Sequence, residues 1–296
     1  MRSFDEYREI INSGLTGLIG DYPEHSAVLA EAMKYSLEVG GKRLRPVLLL
    51  ASCEFAGGSA EEALPYALAL EYIHTYSLIH DDLPAMDNDE LRRGKPTNHK
   101  VFGEAMAILA GDGLLSTAAE TLTAEPLRYT DDPEKMICHV KAAHEILSRA
   151  GSRGMIAGQT ADVLGENKKA TAELVRYIEE HKTADLIIAP VRAGLMLAGA
   201  PDGTLDAFTV YASDIGIAFQ ILDDILDIEG NQELMGKTLG KDEEQGKCNY
   251  AYVHGLDAAK QELHRLTEEA KSSLSGYGED AEFFIKLASS LESRDH

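Results

Sequence analysis

Two acidic clusters hold the residues best suited to chemistry. Asp81-Asp82-Leu83-Pro84-Ala85-Met86-Asp87 closes an apolar stretch that begins at Ala63, and Asp223-Asp224-Ile225-Leu226-Asp227 follows the apolar run from Ile215 to Leu222. Carboxylates grouped at the ends of buried-looking helices are costly unless cations neutralise them. Hard divalent cations such as Mg²⁺ take oxygen ligands and often share them with substrate phosphates. The pattern points to two walls of one Mg²⁺–diphosphate site. The rest of the chain must then supply bases, and an oily place for whatever the phosphate carries.

Helical geometry sharpens both walls. Each helical residue advances about 100°, so Gln220, Asp223, Asp224 and Asp227 share one face, while Ile221, Leu222, Ile225, Leu226 and Ile228 fill the flanks and back. A solvated acidic face is the ordinary explanation of such a helix, but the apolar surroundings argue against simple solvation. Upstream of the first cluster, His74 lies seven residues before Asp81 and projects from nearly the same face. A lone histidine there is more often packed core, yet its alignment with the carboxylates favours a ligand contact. Beyond Pro84 the helix rule fails, so Asp87 reaches back from a turn.

Bases occur where helical hairpins could bring them near these acids. Gly40-Gly41-Lys42-Arg43-Leu44-Arg45-Pro46 puts cations on a tight turn before an apolar helix, and Arg92-Arg93-Gly94-Lys95 follows the first cluster directly. Lys182-Thr183 sits inside a helix, and Lys237 and Lys247 lie in the polar stretch after the second cluster. Any one alone would be a solvated surface charge, and Arg92-Arg93 equally fits a helix cap or a salt-bridge pair. Together they suffice for two diphosphates, one beside the metals and one held by bases alone. Arginine suits phosphate because its planar fork donates two hydrogen bonds.

The elements that must position these residues are helical throughout. Helical spacing or punctuation predicts helices near 4–18, 26–39, 45–55, 60–82, 101–122, 133–149, 153–165, 171–198, 203–228, 248–253, 256–276 and 279–293. No alternating run is long enough to propose a sheet, and no linker divides the chain. The expected architecture is all-α, a single-domain helical bundle over 1–296 with a central apolar cavity. The chain has 296 residues, 44% of them hydrophobic, enough for a sizeable core, and 28 Lys+Arg against 50 Asp+Glu give a net charge of −22. That charge disfavours nucleic acid or an anionic membrane as partner. Cys53, Cys138 and Cys248 are widely spaced and read as reduced thiols. The N-terminus lacks an apolar signal core. The apolar region Leu186 to Ala200, broken by Pro190 and Arg192, falls short of the roughly 20 residues of a bilayer span. A soluble, cytoplasmic protein without membrane insertion is expected.

The ordered motifs carry a resemblance over nearly the whole chain. They are Gly41-Lys42-Arg43-Leu44-Arg45-Pro46, the run His74 to Asp89, Leu91-Arg92-Arg93-Gly94-Lys95-Pro96-Thr97, Gly158-Gln159-Thr160-Ala161-Asp162, Lys182-Thr183, Phe219 to Asp227 and Gly236 to Asp242. In this set the sequence resembles the short-chain trans-prenyltransferases, the isoprenoid synthase type, and most closely bacterial farnesyl diphosphate synthases. The resemblance implies that Asp81, Asp82 and Asp87 with Asp223, Asp224 and Asp227 hold Mg²⁺, about three ions per site, against an allylic diphosphate. Arg92, Lys182 and Lys237 would touch that diphosphate. Lys42, Arg45, His74 and Arg93 would hold isopentenyl diphosphate, Thr183 and Gln220 would flank the reacting carbons, and Lys247 would help close the site. A homodimer is a further implication.

The implied reaction fits the charges. Cations stabilise a departing pyrophosphate, the isopentenyl double bond attacks the allylic carbocation, and a dry cavity keeps water from trapping it. Tyr76 lies five residues before Asp81, about 7.5 Å down the helix. In this family that position, with Ser77 beside it, governs product length, and an aromatic there resembles the farnesyl-making (C15) subtype. A core aromatic is the plainer explanation of Tyr76. The sequence departs from the family at Cys248-Asn249-Tyr250-Ala251, where small hydroxyl residues, Tyr and Pro usually follow the lysine. The C-terminal Ser293-Arg294-Asp295-His296 resembles a basic tail that folds over the mouth. Competing readings are a geranylgeranyl (C20) synthase, another class I terpenoid synthase such as a cyclase, or a regulatory subunit. The second base set disfavours a cyclase, and the intact Asp clusters disfavour a subunit.

Overall fold

The computed structural model describes residues 1–166, 168, 170–229 and 249–292. Its helices are α1 (Phe4–Gly14), α2 (Ala27–Glu38), α3 (Leu44–Phe55), α4 (Ala60–Asp81), α5 (Asn98–Phe102), α6 (Glu104–Ala124), α7 (Pro133–Ala150), α8 (Met155–Gly165), α9 (Ala172–Ile178), α10 (Asp185–Leu197), α11 (Asp202–Glu229), α12 (Tyr250–His254), α13 (Leu256–Ser273) and α14 (Glu282–Glu292). The fold is all-α, as the spacing predicts. Side-chain caps fix several helix starts where the sequence offers a hydroxyl or carboxylate: Ser3 with Glu6 at α1, Ser59 at α4, Asp132 at α7 and Thr171 at α9.

The core lies where α3, α4, α10 and α11 meet, with α6 along α4 and α13 along α11. Val47 to Cys53 of α3 are buried without a break, which explains why that helix reads as apolar on all sides. Small residues set the α4–α6 approach, since Ala107, Ala110, Gly111 and Ala118 are the buried side of α6 together with Leu114 and Leu122. At the other end an aromatic cluster ties α14 to α3 and α11. Phe208 meets Phe284 edge-on at 5.0 Å and 87°, and Phe55 packs on both. Helix α11 is long and apolar enough to cross a membrane by length and composition. Here it packs between α10 and α13 and carries the second carboxylate cluster.

Two local departures from the expected elements matter for function. The segment 91–96 forms a small antiparallel hairpin, β1 (Leu91–Arg92) paired with β2 (Lys95–Pro96). Alternation is too short there to be read, and the signal is instead the turn: Arg93 and Gly94 both have positive φ, 52° and 76°, as a two-residue hairpin loop requires. The expected helix 171–198 is broken by a π-helical segment, Glu179–Ala184, between α9 and α10. Two glycines press on that segment from opposite sides. A Cβ on Gly158 of α8 would overlap the Lys182 backbone, and one on Gly216 of α11 would come within 2.6 Å of Ala184 Cα. Glu179 to Thr183 are all polar, so the run offers no apolar period from which a widened turn could be read.

Cys53 is a buried free thiol, pushed up to about 12 by burial, and Cys138 is a half-buried one. Between α11 and α13, Asp214 is raised to about 6 by burial and then by Glu269, while its Oδ2 is buried without a hydrogen-bond partner among the described residues. The arginine beside it, Arg265, is engaged by Glu262 and Glu269. A carboxyl raised in the folded state contributes stability below its unfolded pKa of about 4, which is lost as pH rises through 6. Asp214→Asn is therefore expected to stabilise the protein at pH 8 by about 1–2 kcal/mol, and by less at pH 5, in urea denaturation at the two pH values.

Candidate active site

At the end of α4 the first cluster divides its labour. Asp82 is buried and takes the Arg92 guanidinium in a fork: Arg92 Nε donates to Oδ1 and Oδ2 at 3.0 and 2.9 Å, and its Nη2 donates to Oδ1 at 2.6 Å. Asp81 faces the cavity instead, and burial raises its carboxyl to about 6 although Lys182 lowers it. After Asp82 the chain turns through Pro84, and the Asp87 amide donates to the Asp81 carbonyl at 2.8 Å. Asp87 thus folds back toward the helix end, and its charge also raises Asp81.

The base-rich turn before α3 separates its cations by backbone strain. Gly40, Gly41 and Arg43 all have positive φ. Arg43 swings inward to a buried ion pair with Glu71 at 2.6 Å and also donates to Asn12 Oδ1 and the Leu37 carbonyl. It belongs to the scaffold. Arg45 points the other way, with Nη1 3.5 Å from His74 Nε2. Its Nε is buried without a hydrogen-bond partner among the described residues. Burial holds His74 well below the ordinary histidine range, reinforced by Arg45, Arg93, Arg92 and Arg43, so its ring is neutral. Arg93, at the hairpin turn, donates to the Gly40 carbonyl and fills the space a Cβ on Gly41 would need. Arg45, His74 and Arg93 therefore converge. Lys42 is exposed and lies instead on the rim of a wider cleft of about 1180 Å³, shared with Phe219 and with residues of α1 and α14.

The second wall is tied to the first through the π-helical segment. Lys182 is held by Asp162 of α8 and lowers the Asp81 carboxyl. The Thr183 hydroxyl donates to Gln220 Oε1 at 2.7 Å, and Gln220 Nε2 donates to Asp224 Oδ1 at 3.0 Å. With its hydrogen engaged, the Thr183 oxygen keeps lone pairs for the cavity that it lines. Asp224 and Asp227 are buried and Asp223 is half-buried. Asp223 acts across the gap on Arg45, favouring its charged form. Lys237 and Lys247 lie outside the described residues, as does the tail 293–296.

Between α4, α8 and the π-helical segment lies a cavity of about 500 Å³. Arg45, His74, Asp81 and Lys182 line it with charged or polar groups, Tyr76, Leu78 and Leu186 add buried or half-buried apolar surface, and Ile156, Val163 and Leu164 line it from exposed positions on α8. Ser77 lines it beside Tyr76, a residue only 6% exposed. Among the described residues no three His, Cys, Asp or Glu side chains gather where they could hold a metal ion alone. The donor set on both walls is nevertheless all oxygen, which suits a hard cation whose remaining ligands are water and phosphate.

Several residues that the sequence marks by motif or departure, without a role, acquire one in the structure. Asp162 and Gly158 stand one helical turn apart on α8, where the first holds Lys182 and the second admits its backbone. Gln159 also lines the cavity, with a buried Oε1 lacking a hydrogen-bond partner among the described residues. The unusual Asn249-Tyr250 acquires a definite place. Asn249 is buried and caps α12, accepting from the amides of Ala251 and Tyr252, while the Tyr250 amide donates to Asp224 Oδ2 at 2.8 Å. The usual hydroxyl residues are also good N-caps, so asparagine substitutes like for like.

The polyprenyl synthetase family model matches residues 26–280. The farnesyl diphosphate synthase of Bacillus subtilis is 44% identical over 268 residues, 90% of this chain and 89% of its own. The geranylgeranyl diphosphate synthase of Cyanophora paradoxa is 44% identical over 267 residues, 90% and 87% of the two chains. A Helicobacter pylori geranyltransferase, solved with magnesium and isoprenyl diphosphate, superposes with a TM-score of 0.84 at 30% identity over 98% of this chain and 95% of that one.

Asn249→Ala removes the cap of α12 and loosens the amide that fastens Asp224. The expected cost is about 1 kcal/mol in urea denaturation, with Asn249→Ser recovering most of it.

Proposed function

Because the chain belongs to the polyprenyl synthetase family, we propose that it is a prenyltransferase that condenses isopentenyl diphosphate head-to-tail with dimethylallyl and then geranyl diphosphate, giving farnesyl diphosphate (C15) and pyrophosphate. The observation that carries this reading is the cavity itself, lined both by the charged and polar groups of Arg45, His74, Asp81 and Lys182 and by apolar side chains that include the buried Tyr76. We read residues 1–296 as one polyprenyl synthase domain, working in the cytoplasm as a homodimer. Exposed Ile108 and Leu109 on α6 are apolar surface suited to such a contact.

Asp81, Asp82 and Asp87 on one wall and Asp223, Asp224 and Asp227 on the other would hold Mg²⁺. When bound, the ions would supply the positive charge that makes pyrophosphate a good leaving group. The chain's own residues do the rest. Lys182, steadied by Asp162, and Arg92 offer donors to the allylic diphosphate, with Lys237 as a further candidate. Arg45, whose Nε lacks a hydrogen-bond partner among the described residues, Arg93, neutral His74 and Lys42 bind the diphosphate of isopentenyl diphosphate. Lys42 has to reach in from the neighbouring cleft. Thr183 turns oxygen lone pairs toward the carbon that becomes positive, and Gln220 holds that hydroxyl in place. The apolar lining excludes the water that would convert the carbocation to an alcohol. Lys247 would help cover the mouth.

Tyr76 sets where the growing chain stops, with Ser77 beside it, which favours a C15 over a C20 product. Incubation with Mg²⁺, dimethylallyl diphosphate and isopentenyl diphosphate should release pyrophosphate and yield mainly C15 product. A metal chelator should abolish both, and absence of pyrophosphate release by the untreated protein would overturn the assignment. Tyr76→Ala should lengthen the product to C20 and beyond. An unchanged C15 product would reject Tyr76 as the floor.

A further inference from the structure

His80 lies between the first aspartate pair and Tyr76, one turn above the tyrosine on α4, and both side chains line the same cavity. The two rings meet edge-on, 5.8 Å apart at 79°. On its other side His80 is fixed to α6: Nε2 lies 3.1 Å from the Ile108 carbonyl and 3.9 Å from Asp112 Oδ1. A carbonyl only accepts, so the ring hydrogen sits on Nε2 and the plane of the imidazole is set by a neighbouring helix. The recess that receives it exists because residue 111 is glycine. A Cβ there would overlap His80 Nε2. In an interface otherwise closed by alanines and leucines, one missing methyl group admits one imidazole.

We propose that His80 is a specificity-determining positioning residue: anchored on α6, it braces the Tyr76 ring across the cavity and so sets how long a prenyl chain can grow. This rests on the prenyl-chain reading of the cavity given above. A tyrosine floor works only while its ring stays in one rotamer against an advancing apolar chain. Side chains leave a rotamer readily unless neighbours block the alternatives. Here the blocking group is the imidazole, and its own freedom is removed by the Ile108 carbonyl. The brace needs no contact between His80 and the diphosphate.

The test is product length. His80→Ala should give a severalfold rise in the ratio of C20 to C15 product, and Gly111→Ala, which expels the imidazole from its recess, should shift it the same way. His80→Gln keeps a donor for Ile108 and nearly the same bulk but has no ring, so it should resemble His80→Ala, and it serves if the alanine variant folds poorly. In the double variant His80→Ala/Tyr76→Ala, the distribution should equal that of Tyr76→Ala alone, because the histidine acts only through the tyrosine. An unchanged C20-to-C15 ratio in folded His80→Ala or His80→Gln would overturn the proposal. So would a double variant making longer products than Tyr76→Ala. Failure of the underlying reading looks different, since the parent protein would then release no pyrophosphate at all.

Discussion

Charge held out of water governs this molecule. A buried carboxylate or guanidinium is tolerated only when another charge or several hydrogen bonds compensate it, and the mouth of the cavity is built from such compensations. Lys182 pairs with Asp162 and Arg92 with Asp82, each keeping further N–H groups, while Arg43 pairs with Glu71 in the scaffold beneath. What these pairs leave over is informative. Asp81 is raised by its burial, and Arg45 keeps a buried donor without a hydrogen-bond partner among the described residues. Those residues ask for an outside charge of opposite sign. A diphosphate accompanied by cations answers both requests at once.

The scaffold supplies position through close approach. Gly158 and Gly216 let α8 and α11 close on the π-helical segment from two sides. That pressure places Lys182 toward Asp81 and Thr183 toward Gln220. Single π-helical turns often occur at functional sites, where the extra residue per turn redirects a side chain that regular α-geometry would send elsewhere. The relay Thr183–Gln220–Asp224–Tyr250 then joins the middle of the chain to its C-terminal helices.

Much of this could be read from residue spacing. The carboxylate face of α11 follows from a period of 3.6, and the inner character of α3 from its unbroken apolar run. The end of α4 follows from Pro84. Contacts between distant segments were not legible in the same way. Nothing in Gly-Gly-Lys-Arg-Leu-Arg says that Arg43 faces Glu71 while Arg45 faces His74, because positive φ at Arg43 reverses the expected direction. The π-helical segment was hidden because Glu179 to Thr183 are all polar, and a run without apolar residues shows no period for an extra residue to disturb. The Lys182–Asp162 pair links two helices separated by a turn, and periodicity carries no information about such pairings.

The hairpin at 91–96 has a consequence for what lengths of chain this fold can accept. Arg92 leaves β1 toward Asp82, while Arg93, one residue on, leaves the turn toward Gly40. Adjacent residues reach opposite clients because the two-residue loop fixes the register Leu91↔Pro96 and Arg92↔Lys95. Exposed loops ordinarily absorb insertions and deletions with little penalty. Here one added or lost residue would turn the following side chains to the other face, leaving Asp82 and the Gly40 carbonyl with exchanged or missing partners. Drift among descendants of this chain should therefore substitute residues in this surface turn while leaving its length alone.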